Sequence, residues 1–324
     1  MTPRGNGGGE GVRWGVLSTA RINEAALRGV DGSPAVDVVA VASRSAEAAE
    51  AFARQYGIPR AHGSYEALLD DPEVEAVYIP LPNGLHVQWT LAALEAGKHV
   101  LCEKPLSPRV AEVERCFEVA ERQGLVLSEG FMWRHHPQTG KLVELVAQIG
   151  DVRLVRATFS FALDRPDDVR WDAALDGGAL LDVGCYCVSA IRLFGGEPER
   201  VSAEAVMTGG GVDSRFAGIL RMPGDAIGEF NCGFDLPPRD ELEIVGSEAS
   251  LFTDDPWHCR VPVIEVRRGD GSVETVEAEQ ANAYRLEFED VSAAIRGERE
   301  PRLGRDDAIG QARALEMLLQ SAAP

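Results

Sequence analysis

The chain is poor in lysine. Its 32 basic residues include only three lysines, Lys98, Lys104 and Lys141, and all the others are arginine. Arginine stays charged at any working pH, whereas a lysine's pKa can be lowered so that it moves a proton. Positive charge as a whole is scarce: 52 Asp and Glu bring the formal net charge to −20. Such a surface repels phosphate backbones and anionic lipid, which argues against nucleic-acid and membrane partners. A local basic pocket for a phosphorylated cofactor remains compatible with it. Long apolar runs are also missing. The opening Met1-Thr2-Pro3-Arg4-Gly5-Asn6-Gly7-Gly8-Gly9 has none, so neither a secretory signal nor an anchor is expected there, and residues 1–11 read as a disordered tail. No later stretch approaches the roughly 20 uninterrupted apolar residues of a membrane span. The six cysteines are scattered and read as reduced core thiols of a cytoplasmic protein. Cys185-Tyr186-Cys187 lacks zinc-knuckle spacing and has no second pair, so no metal is expected.

Glycine is missing where a dinucleotide fingerprint would need it. After the apolar run at 12–18, the three places of G-x-G-x-x-G hold Ser18, Ala20 and Asn23. All three are small enough to let a pyrophosphate approach a helix amino terminus, but the motif fails as written.

What is present is alternation. At 324 residues and 45% hydrophobic, the chain is long enough for two domains. Apolar runs at 12–18, 35–42, near 61, 76–79, near 100 and 125–127 alternate with helical patterns at 19–30, 46–56, 65–69, 85–95 and 110–122. Such βα units form a parallel sheet covered on both faces, with ligands outside the carboxyl ends of the strands. Beyond 127 the pattern changes. A helix at 138–149 leads into period-two strands at 152–161, 200–207, 214–221, 226–234, 241–245 and 263–267, then two helices at 284–296 and 305–320. The fold class is therefore α/β: a dinucleotide-binding domain at 12–127, and a second α/β domain at 128–324 with a large open, mostly antiparallel sheet.

Five stretches carry chemistry. His99-Val100-Leu101-Cys102 reads as a buried strand that delivers Glu103 and Lys104 to its carboxyl end, where Pro105 stops it. Ser43 and Arg44 end the second strand, where an acidic residue would grip a ribose; a hydroxyl and a guanidinium suit a 2′-phosphate instead. NADP is thus favoured, with NAD as the alternative. Pro80-Leu81-Pro82-Asn83-Gly84 makes a rigid turn fit for a nicotinamide ribose, with His86 within reach of it. Phe131-Met132-Trp133-Arg134-His135-His136 reads as a wall for cofactor or substrate. In Gly177-Gly178-Ala179-Leu180-Leu181-Asp182-Val183-Gly184-Cys185-Tyr186, Asp182 and Tyr186 are four apart and share a helical face, with Val183, Cys187 and Ile191 on an apolar one.

In their order and spacing these stretches, with Trp14-Gly15-Val16-Leu17-Ser18-Thr19-Ala20-Arg21-Ile22, resemble the Gfo/Idh/MocA oxidoreductases. The likeness runs from Trp14 nearly to the end and is strongest to the branch of dimeric dihydrodiol dehydrogenases, NADP-dependent D-xylose dehydrogenases and glucose–fructose oxidoreductase. Many members carry a histidine where this chain has Tyr186, as that branch does. The resemblance implies a Rossmann domain, catalysis by Lys104, and a homodimer or homotetramer built through the face of the second sheet. The expected function is hydride transfer between a nicotinamide and a hydroxyl carbon of a sugar or sugar-like polyol or diol. Tyr186 would exchange the proton, the Lys104 ammonium would lower its pKa, and Asp182 would orient substrate or lysine. The expected cofactor contacts are Ser18, Thr19, Ala20, Arg21, Ile22, Ser43, Arg44, Leu81, Pro82, Asn83, His86, Glu103 and Lys104, with Trp133, Arg134, Arg170 and Trp171 shaping the pocket. The alternatives are a ketoreductase on a nucleotide-linked sugar, a glycosidase-like enzyme using NAD transiently, and a non-catalytic dinucleotide-binding sensor.

Overall fold

The structure is a computed structural model that describes residues 11–323. The tail expected at 1–11 lies outside the described residues except for Gly11, which packs against Pro34 and Val36. Six strands pair in parallel: β1 (Val12–Leu17), β2 (Val36–Ala42), β3 (Arg60–His62), β4 (Ala76–Ile79), β5 (His99–Glu103) and β6 (Leu127–Gly130). Their spatial order is β3-β2-β1-β4-β5-β6, the nucleotide-binding order, with a crevice where it reverses between β1 and β4. Every residue of β4 is buried, as a strand covered on both faces requires. The connecting helices are α1 (Asn23–Val30), α2 (Ala46–Tyr56), α3 (Tyr65–Leu69), α4 (His86–Glu95) and α5 (Val110–Gln123). Ser45 and Ser64 open α2 and α3 by accepting from Ala48 N and Ala67 N, the usual cap chemistry.

Strand β6 runs to Gly130, past the boundary expected at 127. Ser128 and Glu129 look like the start of a polar loop, but both are buried with partners. The Ser128 hydroxyl donates to Leu303 O at 3.0 Å, and Glu129 Oε1 accepts from Leu106 N at 2.7 Å.

Helix α6 (Pro137–Val146) leads into an eight-stranded sheet. It comprises β7 (Val152–Ala162), β8 (Arg200–Met207), β9 (Asp213–Arg221), β10 (Ile227–Gly233), β11 (Asp235–Gly246), β12 (Ala249–Thr253), β13 (Val263–Arg268) and β14 (Val273–Glu277). The order is β14-β13-β12-β11-β7-β10-β9-β8, antiparallel except for the parallel β7–β10 pair. Two strands were not foreseen: β12 is short, and β14 is mostly exposed and rich in glutamate. Strand β11, expected at 241–245, begins earlier, at Asp235, and takes in Pro237 and Pro238.

Helix α7 (Cys185–Gly195) packs on β7 and is preceded by one π turn, Leu180–Gly184. The run Ala173–Gly195 is long and apolar enough to cross a membrane, but 72% of its most apolar window is buried in this fold. It is a core helix, interrupted at 176–178 and continuous from Ala179 through the π turn into α7. The last helices, α8 (Ala283–Ile295) and α9 (Arg305–Ser321), return to the first sheet. Phe288 packs its ring 4.8 Å from Trp14 and 5.1 Å from Tyr78, and Trp14 Nε1 donates to Ser292 Oγ at 3.2 Å. Gln311 Nε2 donates to Cys185 O at 2.9 Å. The carboxyl-terminal helices therefore hold both sheets and fix the cleft between them.

Candidate active site and cofactor cleft

A cleft of about 1780 Å³ lies over the carboxyl ends of β1, β2, β4 and β5 and is closed on its far side by residues of the second sheet. On the dinucleotide side it is lined by Ser18 to Ile22, Ser43, Arg44 and Pro80 to Asn83. Ser18 has φ 129, a backbone value that side-chain-bearing residues seldom adopt, at the place of the fingerprint's first glycine. Side chains secure that turn. The Ser18 hydroxyl accepts from Ala20 N at 3.2 Å and donates to Pro80 O at 3.3 Å, and Asn23 Nδ2 donates to Ser18 O at 2.7 Å. The glycine-like path is thus kept without the glycine. Arg21 and Arg44 have no carboxylate partner among the described residues, in a chain where most cleft arginines are paired. Unpaired guanidiniums beside a helix amino terminus fit phosphate groups, so this side suits a dinucleotide.

Three lysines have three different fates. Lys98 Nζ donates to the Asp71 and Val74 carbonyls at 2.8 Å, tying strand ends together. Lys141 pairs with Glu144 on the surface at 2.6 Å. Lys104 alone enters the cleft. It follows β5 across a cis peptide to Pro105, and its ammonium donates to Asp182 O at 2.8 Å and Asp182 Oδ1 at 3.5 Å. The other carboxylate oxygen of Asp182 accepts from Arg170 Nε at 2.6 Å. Lys104 Nζ also sits 4.9 Å from the centre of the Tyr186 ring, a cation–π distance. The Tyr186 hydroxyl has only a weak acceptor, Met132 Sδ at 3.5 Å, and its ring is held edge-on by Phe131 and Phe159.

The electrostatics of this group differ from the sequence-based expectation. Burial pushes the Tyr186 phenol well above its ordinary range, and Tyr284 and Glu103 add to the rise. Desolvation outweighs the ammonium, so the lowered tyrosine pKa expected from Lys104 is corrected. Burial also opposes the Lys104 charge, but Asp182, Cys185 and Glu103 more than offset it and hold the lysine above its usual value. Asp182 would be raised by burial, yet Lys104 and Arg170 keep it below the usual carboxylate range. The group therefore presents an ammonium, a carboxylate and a neutral phenol.

Local sequence explains how the second sheet delivers Asp182 and Tyr186. A Cβ on Gly177 would collide with Arg170 O, and one on Gly178, at φ 113, with Asp213 Oδ1. Asp213 Oδ2 accepts from Leu180 N at 2.7 Å, anchoring the start of the π turn. Asp182 and Tyr186 both face the cleft. Val183, expected on the opposite apolar face, lines it too, because a π turn spaces neighbours differently from an α turn.

Residues 12–131 match the family model described as "Oxidoreductase family, NAD-binding Rossmann fold", and residues 141–252 match the GFO/IDH/MocA C-terminal domain. D-xylose 1-dehydrogenase (NADP(+)) 2 of Haloferax volcanii is 39% identical over 319 residues, covering 96% of this chain and 97% of that protein. The chain belongs to the Gfo/Idh/MocA family. Trans-1,2-dihydrobenzene-1,2-diol dehydrogenase of Mus musculus is 40% identical over 253 residues, 76% of this chain and 75% of the relative. Among solved structures, a 3-ketoreductase from Actinomadura kijaniata in complex with NADP and TDP-benzene superposes with TM-score 0.91 at 31% identity, covering 96% of this chain and 98% of that one.

Four expected contacts of this Gfo/Idh/MocA oxidoreductase lie outside the cleft lining. His86 is wholly buried, with Nδ1 2.8 Å from Pro105 O and Nε2 2.7 Å from Leu81 O. Burial holds its pKa down at about 4, so near neutral pH it is uncharged and donates to only one of these two carbonyls. Trp133 is fully buried and meets Trp257 edge-on at 5.4 Å. Arg134 turns inward to Ser189 Oγ at 3.2 Å and Asp307 Oδ1 at 3.4 Å. Trp171 packs on Phe234 and donates to Arg165 O at 3.1 Å. Asn83 lines the cleft but spends its amide on Asp176 O at 2.9 Å, joining the two sides. Sequence reasoning missed Asp168, which holds Arg170 at 3.1 Å, and the far rim of Arg239, Asp240, His258 and Arg260. Those residues come from separate strands and loops with no local pattern to mark them.

Proposed function

We propose that the chain is an NADP(H)-dependent oxidoreductase that interconverts a hydroxyl carbon of a sugar or sugar-like polyol or diol with the carbonyl. A bound nicotinamide would supply or accept the hydride. Ser18 to Ile22 would meet its pyrophosphate, with Arg21 beside them, and Ser43 and Arg44 its 2′-phosphate. Leu81, Pro82, Asn83, Glu103 and Lys104 would border the nicotinamide end. Tyr186 exchanges the proton at the substrate oxygen. As a neutral phenol it is ready to donate in carbonyl reduction, and for alcohol oxidation it must first ionise. Lys104, kept as an ammonium, stabilises negative charge on either oxygen, while Asp182 fixes Lys104 and Arg170 in place.

The observation that carries this reading is the Lys104–Asp182–Arg170 chain beside the Tyr186 ring at the carboxyl end of β5. NADP-linked turnover by Lys104→Met and Tyr186→Phe tests it; near-wild-type rates in both would refute it. A cytoplasmic enzyme, with all six cysteines free and buried, fits the same picture. Exposed Val206, Met207, Ile219, Ile227 and Val273 on the second sheet's strands support a homodimer or homotetramer through that sheet. A second reading, reduction of a nucleotide-linked ketosugar, is favoured by the likeness to the ketoreductase bound to NADP and TDP-benzene.

A further inference from the structure

Glu287, on α8, has no exposed surface, and neither of its carboxylate oxygens has a hydrogen-bond partner among the described residues. Burying a carboxylate without a partner is costly, and such a group in a folded protein calls for a reason. Glu287 does not line the cleft, so it is set behind the reacting groups rather than among them.

The groups that face it come from three elements. Glu103 comes from β5, Tyr78 from β4, and Tyr284 and Asp290 from its own helix. None of them is a cation. Asp290 is committed elsewhere: Oδ1 takes Arg299 at 3.1 Å, while Oδ2 accepts from Arg302 N at 2.8 Å and lies 3.9 Å from His135 Nδ1. The next residue, Phe288, packs on the Tyr78 ring, and the Tyr78 hydroxyl donates to Glu103 Oε1 at 2.6 Å. Tyr284, one turn before Glu287, reaches the cleft lining. Glu287 and Glu103 thus share one buried compartment behind Lys104.

Two carboxyls in a water-poor site do not both ionise, and the one with more donors keeps the charge. Glu103 has the Tyr78 hydroxyl, the Lys104 N–H at 3.4 Å and the Lys104 ammonium in its favour. Glu287 has none of these. A neutral carboxylic acid donates as well as accepts, so Glu287 has a proton to offer. The Glu103 charge is in turn one of those that sustain the ammonium of Lys104.

We propose that Glu103 and Glu287 share one proton, carried by Glu287, and that Glu287 is a positioning residue that keeps Glu103 charged behind the Lys104 ammonium. The kinetic consequence rests on the oxidoreductase reading above; the place of the proton does not.

Infrared difference spectroscopy of the full chain near neutral pH, wild type minus Glu287→Gln, reads that proton directly. The expected difference is loss of the carbonyl stretch of a protonated carboxylic acid; loss of carboxylate bands instead overturns the proposal. The acid limb of kcat reads the consequence, because there Glu103 takes up its proton and Lys104 loses a counter-charge. Glu287→Leu removes the donor, so Glu103 holds its proton more tightly and needs a higher pH to ionise. Its limb is expected about one to two pH units above that of the wild type, the worth of a hydrogen bond to a charged group. Glu287→Gln keeps a donor and is expected to leave the limb in place. A merely structural role would lower the rate at every pH without moving the limb, and an unmoved limb in a folded Glu287→Leu overturns the role given to Glu287. If Glu287→Leu does not fold, the infrared difference still decides where the proton lies. Absence of turnover on any hydroxyl or carbonyl substrate would count against the oxidoreductase reading alone, and the infrared result would stand.

Discussion

Asp182 and Lys104 meet across the two sheets: the lysine's ammonium donates to the aspartate's backbone carbonyl at 2.8 Å and reaches its carboxylate at 3.5 Å. The carbonyl contact depends on the path of the π turn and survives loss of the carboxylate; the charge contact does not. Asp182→Asn should therefore leave Lys104 in place but release Arg170 and weaken the ammonium. Loss of a hydrogen bond to a charged group costs about 1.5–3 kcal/mol, so kcat/KM should fall roughly 10- to 100-fold. Steady-state kinetics with NADP+ checks this.

The pH dependence follows from Tyr186. Its raised pKa keeps it protonated through neutral pH, and Lys104, also raised, keeps its charge. Reduction, which needs the phenol as acid, should be flat across neutral pH and fall only under alkaline conditions. Oxidation, which needs the phenolate as base, should rise with pH across the same interval. Rate profiles in both directions, from pH 6 to 10, check the sign.

Arg44→Ala should weaken NADPH binding about 10- to 100-fold and NADH binding much less, because a guanidinium there would pair with the 2′-phosphate that NADH lacks. Fluorescence titration of the two reduced cofactors separates the outcomes.

Glu129 offers a stability readout away from the chemistry. Burial pushes its carboxyl up to about 8, although the Leu106 N–H opposes the rise. An unfolded glutamate ionises near its ordinary value, so between that value and about 8 the unfolded state binds fewer protons. Its contribution is full below the ordinary carboxylate pKa and is lost as pH rises through about 8. Glu129→Gln keeps an acceptor for Leu106 N, and it should flatten the fall of Tm between pH 5 and 8.

The first sheet was legible because its strands are buried on both faces and separated by helical periods. The ends of β4, α2 and α3 lie where the residues placed them. Lys104 stood out by composition and by the proline after it. Two kinds of information were not local. Whether an aromatic or basic side chain turns outward or inward is set by packing: Trp133, Arg134 and His86 look like site residues in the sequence and are core braces in the fold. The sign of the Tyr186 shift was also unreadable. Proximity to lysine argues one way and burial the other, and only the enclosing rings of Phe131, Phe159 and Trp257 decide which prevails. The charge pattern of the far rim is assembled from β7, β11 and the loops after β7 and β12, so no single stretch displays it.

The most direct test of the central claim is single-turnover hydride transfer in Tyr186→Phe with NADPH bound and a carbonyl substrate, beside Lys104→Met. Loss of a positioned acid predicts a fall of about 10²- to 10⁴-fold in the chemical step, with NADPH affinity kept within a few-fold of the wild type. Hydride transfer at the wild-type rate in Tyr186→Phe would contradict the assignment of the proton to that hydroxyl.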